Sequence, residues 1–261
     1  MSTGLPPDEA LAAIPGWRGA AFRELPGGLT NRTLLVEKGD RRAVLKIDPS
    51  PRRRPFNSRR EEARIQQRAA ALGRANGVLY AGDTVLLAEW ADGEVWTRAH
   101  FDDDANLVRL GRALREIHGL PLTGRTFDLQ AAARQYAAQL DGPELDDAKP
   151  HLAVIESAPG PVNLCCCHND LVAENMIETE GQGLLLIDWE YTGTGDPMFD
   201  LAVVIRHHDL DAGLAQMFLE AYLQRPATPE DSEHLSRQCR FYGHLLQLWN
   251  LRITESSWER L

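Results

Sequence analysis

The segment from Cys167 to Asn175, with the sequence Cys-His-Asn-Asp-Leu-Val-Ala-Glu-Asn, spaces its polar residues as a phosphoryl-transfer site requires. Residues Met176–Thr179, a turn with two glycines and the apolar run Leu184–Ile187 follow, and this pattern predicts a β-hairpin. Residues whose numbers sum to 363 would face each other in it, which places Asn175 opposite Asp188. Their amide and carboxylate oxygens suit a hard cation such as Mg²⁺, and Asp170 is the candidate base.

The chain resembles the catalytic and metal loops of the protein-kinase-like fold in the order of its polar residues. That order is His-x-Asp, four further residues, Asn, and then an apolar strand that ends in Asp. The resemblance is to the aminoglycoside phosphotransferase and choline kinase branch of that fold. Asn169 stands where protein kinases have arginine, and Asp188-Trp189-Glu190 replaces their Asp-Phe-Gly. With Ile187–Tyr191 and Asp196–Ala202 included, the chain looks most like bacterial choline kinases and, slightly less, thiamine kinases.

This resemblance implies an α+β, bilobal fold with a small β-rich N-lobe and a larger, mostly helical C-lobe. We place the nucleotide-binding N-lobe at residues 1–92, and the C-lobe with catalytic loop, metal site and substrate cleft at 93–261. Apolar periodicity predicts helices over Arg59–Leu72, Asn106–His118, Leu214–Leu223 and Glu233–Ile253. The strand Val85–Trp90 would lead into the link between the lobes, where the resemblance places adenine against backbone groups of Glu89 to Ala91.

Two features of the first lobe suit a bound nucleotide. The strand-like segments Phe22–Leu25 and Thr33–Glu37 flank a turn whose glycines let the backbone approach a bulky group. Gly27, Gly28 and Asn31 are the candidate phosphate-binding residues of that turn. In the strand Ala43–Ile47, Lys46 is the single lysine in an apolar setting, which suits a side chain that reaches the α and β phosphates.

The kinase-like resemblance implies that a helix glutamate holds Lys46 in position. Glu61 and Glu62 are both candidates, and Glu62 is preferred because Arg59 three residues earlier reproduces a spacing common in the small-substrate kinases. The alternative is that both glutamates belong to a solvated helix face. Arg59 and Arg60 themselves are expected to form part of a solvated loop and helix cap.

The histidines and cysteines receive structural interpretations. His168 is expected to bond backbone near the base, and His118 to act as a cation or cap at a helix end. Cys165, Cys166 and Cys167 stand beside His168, but adjacent cysteines alternate direction on a strand and do not converge easily on one zinc ion. In the resembling families an acid at the position of Asp200 anchors the catalytic loop.

Substrate choice is predicted from acids and aromatic residues. A quaternary ammonium offers no N–H donor, so its sites use aromatic faces and carboxylates. Tyr191 matches an aromatic of the choline kinase pocket, Trp249 and Tyr242 come next, and Glu190 could balance a positive charge or touch metal-bound water. Each aromatic residue could equally belong to the core, and the last helix has fewer tryptophans than choline kinases have.

Composition limits the partners. The chain has 261 residues, 43% of them hydrophobic, which is enough for one large domain or two lobes. Its net charge of −10 disfavours nucleic acid and anionic membranes and weakly favours a cationic substrate. No basic region followed by an apolar run and no membrane-length segment occurs, so we expect a cytoplasmic protein with reduced thiols. The sequence leaves the oligomeric state open.

These observations together predict an ATP- and Mg²⁺-dependent phosphotransferase that acts on the hydroxyl of a small molecule, choline or a related amino alcohol first. A thiamine kinase and an aminoglycoside or sugar kinase are the alternatives within the same chemistry. A non-catalytic nucleotide-binding relative is disfavoured because Lys46, Asp170, Asn175 and Asp188 are all present. A metal-dependent hydrolase would leave Lys46 and the glycine turn unexplained.

Overall fold

The computed structural model describes residues 4–26, 31–50 and 57–258, and side chains as far as residue 252. The described strands are β1 (Ala21–Glu24), β2 (Arg32–Lys38), β3 (Arg41–Ile47), β4 (Val78–Ala81), β5 (Val85–Glu89), β6 (Glu94–Val95), β7 (Cys165–Cys167), β8 (Met176–Thr179), β9 (Gly183–Leu186) and β10 (Gly193–Gly195). The described helices are α1 (Pro7–Ala13), α2 (Arg59–Ala71), α3 (Asp104–His118), α4 (Leu129–Ala137), α5 (Gly142–Glu156), α6 (Pro197–His207), α7 (Ala212–Leu223) and α8 (Pro229–Trp258).

The strands concentrate in the N-terminal part and the helices in the C-terminal part, which confirms the predicted α+β class. By packing, the chain divides into two units: Met1–Trp96 with Glu174–Thr192, and Thr97–Ala173 with Gly193–Leu261. The β8–β9 hairpin therefore packs with the N-terminal strands. The functional lobes at 1–92 and 93–261 stay a prediction.

The main sheet of the first unit is antiparallel, with the strand order β1-β2-β3-β5-β4. Ala43, Leu45 and Ile47 of β3 are buried in a core that includes Leu11 of α1. Because side chains alternate along a strand, Lys46 lies on the opposite face of the sheet from these three residues. One face of β3 therefore packs in this core, and the other face carries Lys46.

Helix α2 begins with a capping box. The Ser58 hydroxyl accepts from the Glu61 amide, and the Glu61 carboxylate accepts from the Ser58 amide. Glu62, Ile65 and Ala69 are buried along one face of the helix, which packs against β4 and β5. The cap leaves Glu61 exposed at the helix start and turns Glu62 inward.

The β8–β9 hairpin forms as predicted, but its register is one residue away from the predicted one. Thr179 pairs with Gly183, so the connection holds three residues rather than four. Gly183 has φ of +75°, the left-handed conformation that commonly completes a three-residue hairpin loop. The Asn175 carbonyl consequently accepts from the amide of Ile187, and Asn175 does not stand directly opposite Asp188.

The second unit is mainly helical. Helix α3 packs on α7, α8 packs along α5 and α6, and β7 pairs with β10 in a small antiparallel sheet. The four predicted helices are confirmed, with the largest difference at α8, which begins at Pro229 and extends to Trp258. Among the residues described, none of the helices combines the length and the apolar composition needed to cross a bilayer.

Candidate active site

The amino group of Lys46 contacts two carboxylates of the first unit. Its Nζ donates to Asp188 Oδ1 at 2.8 Å and lies 3.6 Å from Glu62 Oε1. The side chain of Glu62 is fully buried, that of Lys46 is 14% exposed and that of Asp188 is 28% exposed. Burial opposes the charged amine, but Asp188 and Glu62 raise the pKa of Lys46 above its ordinary value. Lys46 is therefore a fixed cation beside a partly exposed carboxylate.

Arg59 holds the glutamate of this cluster, and here the expectation of a solvated arginine is wrong. Its guanidinium is buried and donates to Glu62 Oε2 at 2.6 Å. It also binds Asp48 in a bidentate manner, from Nε to Oδ2 at 2.9 Å and from Nη2 to Oδ1 at 2.8 Å. The fork geometry of arginine suits two carboxylates at once, so Arg59 fixes Glu62 near Lys46.

Asp188 occupies a backbone conformation that few residue types accept. Its φ is 62° and its ψ is 66°, in the left-handed region where aspartate and asparagine are tolerated. The chain turns there from the end of β9 into the short 3₁₀ turn Trp189–Tyr191. The turn places the carboxylate of Asp188 beside Lys46, while Asn175 ends the short 3₁₀ turn before β8.

The segment after Asp188 is held by a residue that sequence reasoning missed. The buried side-chain amide of Asn57 donates to the carbonyls of Trp189 and Thr192, and its backbone amide donates to Glu190 at 2.7 Å. Glu190 is 4% exposed and Tyr191 is 9% exposed. Both predicted substrate residues of this unit thus belong to a fixed, buried turn.

The remaining nucleotide candidates are only partly described. Gly27 and Gly28 lie outside the described residues, while the Asn31 side chain accepts from the Thr33 hydroxyl at 2.8 Å. At the end of β5, the amide of Glu89 donates to Gly77 at 2.8 Å. The predicted adenine contacts at Glu89 and Ala91 stay a prediction.

The predicted catalytic loop, in the second unit, is held through its backbone. Asp200, fully buried in the first turn of α6, accepts from the amide of His168 at 2.8 Å and from that of Asn169 at 2.7 Å. Asn169 has φ of 68°, which turns the chain immediately before Asp170. The amide of Asp170 in turn donates to His168 Nδ1 at 3.3 Å, in line with the backbone-bonding role expected of that histidine.

Two further histidines support the same loop, and the sequence did not indicate either role. His118 ends α3, where a cation or cap is expected, and the hydrogen bond to Asp200, acting against burial, raises the pKa of its imidazole. Its buried ring contacts Asp200 Oδ2 at 3.0 Å and the Tyr222 hydroxyl at 2.9 Å. His208 Nε2 contacts the carbonyl of Leu171 at 3.3 Å and its ring stacks on Phe101. Burial lowers the pKa of His208 to about 4, so this ring is neutral at physiological pH.

The two predicted substrate aromatics of the second unit lie on α8, seven residues apart. Tyr242 is buried, and its hydroxyl lies 3.2 Å from His207 Nδ1. The Trp249 ring packs edge-to-face with Tyr136, and the guanidinium of Arg252 lies over it, 3.6 Å from the ring centre. The face of Trp249 therefore already carries a cation.

Known proteins resemble this chain in sequence and in fold. The model of the phosphotransferase enzyme family matches residues 21–234. Protein LicA of Haemophilus influenzae is 29% identical over 208 residues, which cover 75% of this chain and 61% of LicA, so this chain spans about six-tenths of that relative.

Thiamine kinase of Salmonella typhi is 26% identical over 218 residues, which cover 82% of this chain and 75% of that enzyme. A choline/ethanolamine kinase family protein from Mesorhizobium loti superposes with a TM-score of 0.70 at 25% identity, over 95% of this chain and 85% of that one. The chain therefore belongs to the phosphotransferase enzyme family and has a kinase-like fold.

Proposed function

We propose that this protein transfers the γ-phosphoryl group of ATP to the hydroxyl of a small amino alcohol, with choline as the first candidate. The observation that carries the phosphoryl-transfer part is the Lys46 cluster, in which one fixed ammonium contacts a buried and a partly exposed carboxylate. The substrate part is supported by the relatives, one of which is a choline/ethanolamine kinase family protein. Because ATP is held inside cells, we expect the enzyme to act in the cytoplasm.

Lys46 is assigned to the phosphates of the nucleotide. Its ammonium donates to Asp188 and lies 3.6 Å from Glu62, which Arg59 holds, so the charge is positioned before the nucleotide arrives. A preorganised cation needs no rearrangement during the reaction, and for that reason it stabilises phosphate oxygens more effectively than a mobile one. The partial exposure of Lys46 and Asp188 leaves both accessible to a ligand.

Asn175 and Asp188 are assigned to Mg²⁺. An amide oxygen and a carboxylate oxygen are hard donors, and Mg²⁺ typically takes one or two protein ligands and completes its shell with phosphates and water. The ion would supply neutralisation of the phosphate charge when bound. Asp188 fits the assignment because its carboxylate is 28% exposed and its backbone is fixed by the left-handed turn.

Asp170 is assigned as the residue that orients the acceptor hydroxyl and receives its proton. The loop around it is fixed through the amides of His168 and Asn169, both bound to Asp200. No covalent intermediate is required, since the acceptor oxygen can attack the γ-phosphorus directly and the ADP oxygen leaves in line. The side chain of Asp170 then carries the hydroxyl proton when the phosphate ester forms.

Glu190, Tyr191, Tyr242 and Trp249 are the candidates for substrate recognition. Aromatic faces and a carboxylate would recognise a quaternary ammonium through cation–π and charge contacts worth roughly 0.5–2 kcal/mol each. Arg252 over the Trp249 ring supports the idea that this face attracts cations. A thiamine kinase is the second candidate, because thiamine kinase of Salmonella typhi is 26% identical to this chain.

The test is ADP release from MgATP with choline, ethanolamine, thiamine, and a set of aminoglycosides and sugars. Asp170→Ala is the inactive control, and Asp147→Ala, at an exposed position of α5, is the matched active control. Turnover of choline or ethanolamine that requires Asp170 supports the proposal. Asp170-dependent turnover of thiamine, an aminoglycoside or a sugar instead would replace the proposed substrate, and MgATP binding without any turnover would favour a non-catalytic relative.

A further inference from the structure

The alternation of the cysteine triplet brings two sulfurs together on one face of β7. Cys165 and Cys167 lie on the same side of the strand, and their Sγ atoms are 3.4 Å apart. Both are buried, at 8% and 0% exposure. Adjacent cysteines point in opposite directions, as expected. Cys165 and Cys167 are two residues apart and point in the same direction, and the sequence analysis did not consider this pair.

The imidazole of His118 completes the cluster from another element. His118 is the last residue of α3, and one of its ring nitrogens and the two sulfurs all lie within 4.8 Å of one another. His168, which is adjacent to the triplet in sequence, is not part of this group. Among the described residues, this is a group of three potential metal ligands that lies apart from the Lys46 cluster, although His118 also contacts Asp200.

The donor set and its dimensions fit a soft metal ion. Two thiolates and one imidazole form the kind of set that selects zinc and related thiophilic ions over Mg²⁺. With zinc–sulfur bonds of about 2.3 Å, two sulfurs on one tetrahedral ion are about 3.8 Å apart. The Sγ atoms of Cys165 and Cys167, 3.4 Å apart, would therefore need to move only slightly away from each other to bind one ion. We propose that His118, Cys165 and Cys167 form a binding site for a thiophilic divalent cation, with Zn²⁺ as the physiological candidate.

Metal binding at this cluster would require proton release. Burial raises the pKa of the Cys167 thiol well above its ordinary value. Burial opposes the charged form of His118, but the hydrogen bond to Asp200 raises the pKa of its imidazole well above the ordinary value. A hydrogen bond from the Cys167 thiol, opposed by burial and aided by His118, lowers the pKa of Cys165 to about 6. Because the ligands of a metal ion are thiolates and neutral imidazoles, binding would release the protons of Cys167 and His118 and would weaken as the pH falls. One ring nitrogen of His118 would exchange its present partner, the Tyr222 hydroxyl or the Asp200 carboxylate, for the ion.

A disulfide between Cys165 and Cys167 is the competing use of two close sulfurs. On an extended strand, Cα atoms two residues apart are separated by about 6.6 Å, close to the upper limit of about 6.8 Å for disulfides and beyond their usual 5.5–6 Å. Both cysteines are paired with β10 in a regular register, which holds the strand extended. The geometry consequently favours a bridging ion over a direct sulfur–sulfur bond.

The test is a titration of the reduced, metal-stripped protein with Cd²⁺ in excess Mg²⁺, followed by thiolate-to-metal charge-transfer absorption and by calorimetry. We expect one Cd²⁺ per chain, displaced by Zn²⁺, with affinity reduced more than about 100-fold in Cys165→Ala and Cys167→Ala, since loss of outer-shell partners alone costs 10–100-fold. Cys166→Ala, in the same strand, and Cys239→Ala, in α8, are matched controls that should bind as wild type does.

Three results would overturn the site. These are the absence of a thiolate absorption in the wild-type protein, equal binding by Cys165→Ala and wild type, and loss of binding in Cys166→Ala or Cys239→Ala. The wild-type measurement decides the question even where a variant folds poorly. Because the readout is metal binding, its outcome is independent of which alcohol the kinase phosphorylates.

Discussion

Asp48 and Arg59 form a bidentate ion pair in which both side chains are withdrawn from solvent, with side-chain exposures of 1% and 0%. Glu62 accepts from the same guanidinium, so one arginine binds two buried carboxylates. Removing it leaves both charges without their main partner. Arg59 therefore supports both the folded state and the position of the acid beside Lys46.

Arg59→Leu should destabilise the protein by about 3–5 kcal/mol, the range for a buried ion pair broken on one side. Denaturant unfolding followed by tryptophan fluorescence measures this. Arg60→Leu is the matched control, because Arg60 is exposed and pairs only with the exposed Asp83. Equal unfolding midpoints for the two variants would contradict the assigned role of Arg59.

Lys46→Met should lower kcat/KM for MgATP on the order of 10²–10³-fold, as for loss of one preorganised charged donor. Glu62→Gln should lower it by about 10–100-fold, since Glu62 acts through Lys46. Glu61→Gln, which alters only the capping box, should leave kcat/KM close to wild type. Initial rates at varied MgATP decide between the glutamates, and a larger effect at Glu61 would reverse the assignment.

Asp200→Asn should reduce kcat by about 10–100-fold while KM for MgATP changes little. The asparagine replaces one acceptor oxygen with a donor that faces the amide of His168 or Asn169, so the loop loses its geometry. Asp211→Asn is the control, because Asp211 only caps α7 and asparagine caps equally well. An unchanged kcat in Asp200→Asn would show that the loop keeps its shape without this carboxylate.

His208 should make the protein less stable in acid. Its folded-state pKa of about 4 lies below the ordinary value of 6.5, so the unfolded chain binds the proton more tightly. The contribution of neutral His208 to the free energy of unfolding is fully present above pH 6.5. About 2–3 kcal/mol of that stability is lost as the pH falls from 6.5 to about 4. We expect the difference in unfolding free energy between wild type and His208→Gln to shrink over this interval. If the unfolding free energies of wild type and His208→Gln change with pH in parallel, His208 is not buried in its neutral form.

Arg252→Gln should lower KM for a cationic alcohol by about 2–5-fold if the Trp249 face binds the substrate, because the resident guanidinium would no longer compete for the ring. KM for MgATP should stay the same. Trp249→Leu should raise KM for the alcohol in the same assay. If both variants leave that KM unchanged, Trp249 is a packing residue.

Much of the fold could be predicted because its signals are local. The apolar run Ala43–Ile47 indicated the strand that carries Lys46, and the helical period indicated α3, α7 and α8. The hairpin was predicted in the correct place, but its register depended on the backbone of Gly183, whose φ of +75° the sequence could not specify. Because the loop holds three residues rather than the predicted four, Asn175 pairs with Ile187 and not with Asp188.

The supporting residues could not be predicted because their partners are distant along the chain. Asn57 bonds residues more than 130 positions away, and its own neighbours in sequence give no sign of this. Arg59 stands in an arginine-rich stretch, which is typical of solvated loops, and only its three-residue spacing to Glu62 was informative. His118 ends a helix, where a capping role is the ordinary interpretation.

The bonds from Asp200 to the amides of His168 and Asn169 have a consequence for the order in which the chain acquires its shape during synthesis. The acceptor carboxylate lies 32 and 31 residues after the amides that it binds. While the ribosome has added no more than about residue 199, these amides have no acceptor at that position. In a nascent chain, Asp200 can therefore fix the loop that carries Asp170 only after α6 has begun to emerge and dock.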